Sequence, residues 1–395
     1  VAFCVGLLHL RWRGLTFRYL FTMRSQSVRH PSALHQEETM NIVRVASVAM
    51  TAIGLLAVAG NVSAQATYEV VMSGLDNPRG LAFSPNGALY VAEAGRGGAG
   101  PCLVSGAGEV RCFGQTGAIS RLWMGQQSRV LEGLDSHALP DGSSASGPND
   151  ISFNGVGGAF IAMGLGGDGA WKAALGAQVS GSVLKMAASG QWKVVADIMG
   201  HETAENPAGG AVDSNPFGIV AEPGGLLVAD AGGNSLLGVT RNGRVETLAV
   251  FPPLPNPTPV GPPMVEAVPT SVARGADGAL YVGQLTGFPF VQGLANIYRV
   301  LPGQQPVVHC AGFKAIMDLA FGPDGSLYVV ENATGGLFFA PGTGQLSRVA
   351  PDCSRERVLT GLDRPTAVAV GADGAVYVTN HGITAGAGEV LMVRP

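Results

Sequence analysis

Six times along this 395-residue chain, a segment of one design returns. Each copy has a proline or small residue, an apolar-x-apolar run, an Asn-Gly, Asp-Gly or Gly-Gly turn, and a second run of the form (Tyr/Phe/Leu)-Val-x-polar. The copies read NPRGLAFSPNGALYVAE, GPNDISFNGVGGAFIAM, NPFGIVAEPGGLLVAD, VPTSVARGADGALYVGQ, IMDLAFGPDGSLYVVE and RPTAVAVGADGAVYVTN. Aligned on the first residue of the second run, they fall at Tyr90, Phe160, Leu227, Tyr281, Tyr328 and Tyr377, at intervals of 70, 67, 54, 47 and 49 residues. A self-similar unit of about 40–50 residues built from short strands is the mark of a propeller blade. The pattern therefore predicts an all-β, six-bladed β-propeller.

Within each unit the first run supplies an inner strand A, at 80–84, 150–153, 218–221, 271–274, 318–321 and 367–370. The glycine turn makes a tight hairpin, because its residues tolerate positive φ. The Tyr-Val run is strand B, whose continuous apolar character suits a sheet covered on both faces. A third run of apolar-x-(Arg/Lys)-apolar type predicts strand C, as in Ile119-Ser120-Arg121-Leu122. A Val/Leu run ending in Gly-Leu predicts strand D, as in 129–134 and 357–362. The sixth copy ends after its strand C. The segment Tyr68-Glu69-Val70-Val71-Met72-Ser73-Gly74-Leu75 carries the strand D signature at the other end, so it is expected to complete the last blade and leave no open edge. Three excursions interrupt the plan: a Gly-rich loop at 94–118, a short helix at 168–175, and the extended proline-rich connection FPPLPNPTPVGPP at 251–263.

With 46% apolar and 13% charged residues, the chain reads as globular and not as disordered. Its first segment stands apart. Met40-Asn41-Ile42-Val43-Arg44, an apolar run from Val45 to Gly60, and the small-residue stretch Val62-Ser63-Ala64-Gln65-Ala66 form a secretory signal peptide at 40–66. Residues 1–39 read as unstructured sequence upstream of the true start, and 67–395 as the propeller. Export places the mature protein in the periplasm or outside the cell. Removing 1–64 takes away six Arg and two Glu from 24 basic and 28 acidic residues, which leaves a net charge of −8. That balance gives no electrostatic reason to bind nucleic acid or an anionic membrane. A monomer that binds a small molecule, glycan or protein is the expected state. The mature chain keeps four cysteines. Two disulfides, Cys102–Cys112 and Cys310–Cys353, are expected in an exported protein, with buried free thiols as the alternative.

If strand A leaves one face and strand B returns to it, the D–A and B–C loops share that face. The residue after each Tyr-Val-x then occupies one place per blade near the channel mouth: Glu93, Met163, Asp230, Gln284, Glu331 and Asn380. The D–A side adds Arg79, Asn149, Asp150, Asn215, Asp318 and Arg364, and the B–C side adds Asn234, Asn332 and His381. A ring of oxygen ligands suits a hard cation such as Ca²⁺, with Glu93, Asp230 and Glu331 as metal candidates, or a metal-activated water. The same acids and amides equally suit capping of strand-end backbone groups, with Arg79 and Arg364 compensating the charge. The G-x-G-x-x-G match at 164–169 lacks a parallel βαβ context, His201-Glu202 lacks a second His, and no Gly-x-Ser-x-Gly elbow occurs.

The repeats, with VPTSVARGADGALYVGQLTGFPF at 268–290, GFKAIMDLAFGPDGSLYVVE at 312–331 and the early GLDNPRGLAFSPNGALYVAEAGRGGAGPC, resemble the ScyD/ScyE family of exported bacterial proteins across the whole mature chain. The resemblance implies an NHL- or gluconolactonase-like propeller without a defined reaction. A more distant likeness is to metal-dependent lactonases of six-bladed fold, whose axial ligands have topological counterparts in Glu93, Asn149 or Asn215, and Asp230. Two functions follow as expectations: an exported binding or scaffold propeller, or a Ca²⁺-dependent hydrolase working at the channel.

Overall fold

The computed structural model describes residues 8–12, 15–19, 66–155, 158–335 and 339–394. The chain divides into two units, Val1–Ala64 and Gln65–Pro395. In the first, Leu8–Trp12 pairs antiparallel with Leu15–Tyr19. Apart from Ala66, the expected signal segment lies outside the described residues. Among the described residues, no helix is long and apolar enough to cross a membrane.

The second unit is a six-bladed β-propeller. Blades 2 to 5 are four-stranded antiparallel sheets running inward to outward in chain order. Their strands A and B are Pro148–Phe153 and Ala159–Met163, Pro216–Glu222 and Gly225–Asp230, Pro269–Arg274 and Leu280–Gln284, and Ile316–Phe321 and Leu327–Glu331. Blade 6 consists of Val368–Val370, Val376–Asn380, Gly388–Arg394 and, from the other end of the propeller, Thr67–Leu75. Met72 opposite Val390 and Val70 opposite Leu391 close the ring. The apolar run expected to do so therefore does.

The turns behave as glycine chemistry requires. Gly87, Gly278, Gly325 and Gly374 sit at φ 77–85° with open space where a Cβ would stand, so backbone conformation and not crowding selects glycine. Strand B is packed on both sides. Val91, Val282, Val329 and Val378 are fully buried, each contributing roughly 1.5–3 kcal/mol of apolar burial. Aromatic residues then lock blade to blade: Tyr90 on Phe153, Tyr281 on Phe321 and Tyr377 on Phe83, at 4.9–5.2 Å between ring centres.

The excursions differ more from expectation. Blade 1 carries strands of 14 and 13 residues, Val110–Trp123 and Gln126–Ala138, with Cys102–Val104 added beside the first of them. The Gly-rich loop is thus largely a rising hairpin, because Cys102 and Cys112 face each other across the strands and are joined. Cys310–Cys353 links blades 4 and 5. Helix α1, Gly169–Leu175, is capped by Asp168, whose Oδ1 accepts the Trp171 N–H at 2.7 Å. A second helix, α2, spans Ile198–Glu205 between blades 2 and 3, capped by Asp197. The sequence reading did not include it. The proline-rich connection is extended but pinned by a two-residue ladder, Leu254–Pro255 on Met264–Val265.

Candidate functional site

Register places the polar residue at the end of strand B opposite the residue that opens strand A: Glu93 faces Pro78, Asp230 faces Pro216, Gln284 faces Pro269 and Glu331 faces Ile316. The D–A and B–C loops do share one face. What these side chains do there is repetitive. The Asp76 N–H donates to Glu93 Oε2 at 2.7 Å, Asn215 N–H to Asp230 Oδ1 at 2.6 Å, Lys314 N–H to Glu331 Oε1 at 2.7 Å and Asp363 N–H to Asn380 Oδ1 at 2.8 Å. In four blades the side chain caps an otherwise unpaired backbone donor where strand D turns into strand A. Glu, Asp and Asn serve equally because each offers a carbonyl-type oxygen. Blade 4 varies the scheme, with Gln284 Oε1 accepting from the Asn296 backbone and side chain at 3.1 Å. Met163 is fully buried in blade 2.

The inner residues fasten neighbouring blades. Asn149 Nδ2 donates to Pro216 O at 3.1 Å, Thr270 Oγ1 to Ile316 O at 2.8 Å, Asn332 Nδ2 to Pro365 O at 3.1 Å and Thr366 Oγ1 to Pro78 O at 2.7 Å. Asn215 Oδ1 accepts the Leu165 N–H, and Asn234 Oδ1 the Val268 N–H. Asp150 and Asp318 extend the pattern from opposite blades. Asp150 Oδ2 accepts the Ile219 N–H of blade 3, and Asp318 Oδ2 the Val368 N–H of blade 6, at 2.8 and 2.9 Å. Burial pushes both carboxyls up, Asp318 to about 7, and Asp318 adds to the rise at Asp150. His381, at φ 54°, sets Nδ1 3.2 Å from Asp363 Oδ2.

The three metal candidates separate on inspection of their partners. Glu93 is fully buried and saturated: besides Asp76, it accepts from Ser120 Oγ at 2.5 Å and from Arg129 Nε and Nη2 at 3.0 and 2.7 Å. Arg79 and Arg364, expected to compensate the acids, form no ion pair among the described residues; Arg129 does so at blade 1. Glu331 accepts from Gln345 Nε2 at 2.6 Å, and burial raises its pKa.

Asp230 has a different neighbourhood. Its oxygens accept Asn215 N–H, Ser214 Oγ and Gly233 N–H. Glu202 of α2 and Asp213 of the loop that follows α2 stand next to it. Burial first, then Asp230 and Asp213, push the nearly buried Glu202 up to about 7. Burial first, then Asp230, Glu266 and Asp168, push Asp213 up to about 7. Among the described residues no cation offsets either one, and Asp213 Oδ1 is buried with no hydrogen-bond partner. The gap they share is kept open by glycine. A Cβ on Gly233 would lie 2.9 Å from Glu202 Oε2 and 3.1 Å from Asp230 Oδ2, and one on Gly232 would lie 2.8 Å from Asp213 Oδ1. Of this group only Asp230 stood among the sequence candidates. From the sequence, Glu202 stood out only as half of an incomplete zinc motif, and Asp168 only within a glycine-rich match and at the start of the expected helix at 168–175. It is the unforeseen helix α2 that brings Glu202 to Asp230.

His309, Cys310 and Cys353 also place nitrogen and sulfur within 4.8 Å. The two sulfurs are bonded to each other, so no thiolate is offered there.

No protein-family model matches this chain, and no curated protein matches it. Among solved structures it is similar to a protein of unknown function from Bacteroides thetaiotaomicron VPI-5482, with TM-score 0.51, 8% identity, and coverage of 83% of this chain and 72% of that one. It is also similar to regucalcin, a calcium-binding protein of Agrobacterium tumefaciens C58 (TM-score 0.48, 16% identity, 83% and 95% covered). A third likeness is to virginiamycin B lyase of Staphylococcus aureus (0.44, 14%, 80% and 82%). At these identities the likeness is one of fold.

Proposed function

We propose that the protein is an exported, divalent-cation-dependent hydrolase of the gluconolactonase-like propeller type, acting at the face formed by the D–A and B–C loops. The observation that carries this reading is the uncompensated carboxylate group around Gly232 and Gly233. Carboxyls held together near neutrality, one with an orphaned buried oxygen, fit a hard cation with oxygen ligands. Asp213, Glu202 and Asp230 would hold it. Their oxygens do not all approach within 4.8 Å of one another, since only the His309 group does so among the described residues. No single cation could therefore touch all three directly, and at least one of them would act through a bound water. The cation would polarise a substrate carbonyl or lower the pKa of a bound water. Glu202, whose carboxyl is pushed up to about 7 by burial and by Asp230 and Asp213 in the cation-free protein, would give up its proton on taking the ion. Glu93 does not fit a ligand role, because the Arg129 guanidinium already neutralises its carboxylate, whereas among the described residues no cation pairs with Asp230, Glu202 or Asp213.

A second reading keeps the resemblance to ScyD/ScyE proteins across 67–395: an exported propeller that holds a small molecule, glycan or partner without turnover. It is favoured by the satisfaction of Glu93, Asn380 and Glu331 through protein partners. Hydrolysis of simple aldonolactones by the purified chain, with Ca²⁺ and then with chelator, separates the two. Cation-dependent turnover that is lost in Glu202→Gln supports the hydrolase. Cation binding without turnover of any lactone or ester supports the binding propeller.

A further inference from the structure

A cavity of about 720 Å³ opens on the loop face between blades 4 and 5. It is bounded by the passage from strand D of blade 4 into blade 5, at Gly312 and Lys314, by the B–C loops of both blades, and by strand D of blade 5, Arg355–Leu362. Arg355 and Arg357 stand two residues apart on that strand, so they project from one face of it. Both line the cavity, as does Lys314. Three cations therefore meet there, in a chain whose net charge is −4. Glu331 is the one acid in the wall among the described residues, and its oxygens accept the Lys314 N–H and Gln345 Nε2 at 2.7 and 2.6 Å.

The two guanidiniums are held differently. Arg355 is fixed in place: Nη1 donates to Gly312 O at 2.9 Å, Nη2 donates to Ala311 O, and the group lies 3.4 Å from the centre of the buried Phe313 ring. Arg357 is exposed and makes no hydrogen bond among the described residues. Both act on Glu331 through their charge, yet neither forms an ion pair with any described residue. The rest of the wall is hydroxyl, amide and backbone, from Thr334, Thr343, Gln292 and a series of glycines, with no apolar side chain among the described residues. Pockets of 300–1,000 Å³ that take apolar ligands are lined mostly by apolar and aromatic side chains. A cavity of this size walled by hydroxyls, amides and unpaired guanidiniums suits a small, polar, negatively charged molecule instead.

We propose that this cavity binds a small polyhydroxylated anion, a sugar acid or a sugar phosphate, with its oxyanion group on Arg355 and Arg357 and its hydroxyls along the Thr and Gln side chains of the B–C loops. The planar guanidinium fork suits carboxylate and phosphate alike. Arg355 is already ordered, so binding has only Arg357 to immobilise among the charged contacts. The site is separate from the carboxylate group of blade 3 and does not rest on the hydrolase reading.

The test is calorimetric titration of the full chain, at constant ionic strength, with glucuronate, with glucose 6-phosphate and with neutral glucose. Saturable binding of at least one anion, at least tenfold tighter than glucose, is expected, and the tighter anion identifies the group recognised. Arg357→Gln should weaken binding at least tenfold while leaving the melting temperature unchanged, because the side chain is exposed and holds no other residue. Arg357→Lys, which keeps the charge, should recover part of the loss. Asp213→Asn should leave the affinity unaltered, which keeps this site apart from the blade 3 group. No saturable binding of either anion, glucose bound as tightly as both, or unchanged affinity in Arg357→Gln would overturn the site.

Discussion

Arg129 holds the carboxylate of Glu93 through two hydrogen bonds, Nη2 to Oε2 at 2.7 Å and Nε to Oε1 at 3.0 Å, and reaches Asp76 Oδ2 at 2.9 Å with the same Nη2. Strand D of blade 1 is thereby tied to the end of strand B and to the turn from which strand A starts. Because Glu93 is fully buried, removing it leaves Arg129 short of a partner and the Asp76 N–H uncapped. Arg129 keeps Asp76 and is partly exposed, so Glu93→Ala should cost about 1–3 kcal/mol, mainly for the uncapped N–H and the lost charged hydrogen bonds. Glu93→Gln should cost less, since an amide oxygen still accepts the Asp76 N–H, as the Asn380 amide does for Asp363. Urea midpoints at unchanged slope measure both.

Asp135 presents one oxygen to three successive backbone donors of the next blade, Gln178, Val179 and Ser180, at 2.7, 2.6 and 3.1 Å. Hydrogen bonds to a charged acceptor are worth about 1.5–3 kcal/mol. Asp135→Ala should therefore destabilise by at least that amount. Hydrogen exchange should accelerate at 178–180 before it does in blades 4 and 5.

Reduction should act unequally. Cys310–Cys353 closes 43 residues and Cys102–Cys112 closes 10. Loop-closure entropy assigns them about 4 and about 2.7 kcal/mol. The Cys310→Ala/Cys353→Ala double variant should melt lower than the Cys102→Ala/Cys112→Ala variant in calorimetry.

The acid groups give stability a pH dependence of defined sign. Asp318, Asp213 and Glu202 have folded-state pKa values raised to about 7. Their contribution is fully present below pH 4 and is lost as pH rises through 7. His137 works in the opposite sense, its pKa lowered to about 4, so its contribution falls away only below pH 6.5. In chelator, the melting temperature should rise from pH 8 to pH 6.5. Asp213→Asn should raise it at pH 8 and flatten that rise.

Much of this was legible in the residues themselves. The turn glycines and the Tyr-Val runs specify blades because φ and two-sided burial leave few alternatives, and Thr67–Leu75 carries the strand D pattern openly. The face on which Glu93, Asp230 and Glu331 converge follows from strand direction alone. What each acid does there does not, since an oxygen that caps an N–H and one that binds a cation are the same residue type. The distinction comes from Arg129, 36 residues from Glu93 in sequence, and from Glu202, delivered by an eight-residue helix. Glu202 lies outside the repeat, and Arg129, though it opens a strand D, lies outside the aligned strand A and strand B segments, so aligning those copies could not reveal either.

Calorimetric titration of the metal-free protein with Ca²⁺, run in parallel on Glu93→Gln, Glu202→Gln and Asp213→Asn, tests the assignment of the loop-face acids most directly. The expected result is a single cation per chain, bound normally by Glu93→Gln and at least tenfold more weakly by Glu202→Gln and Asp213→Asn. Binding abolished by Glu93→Gln but unaffected by Asp213→Asn would contradict it, as would no binding by the unaltered chain.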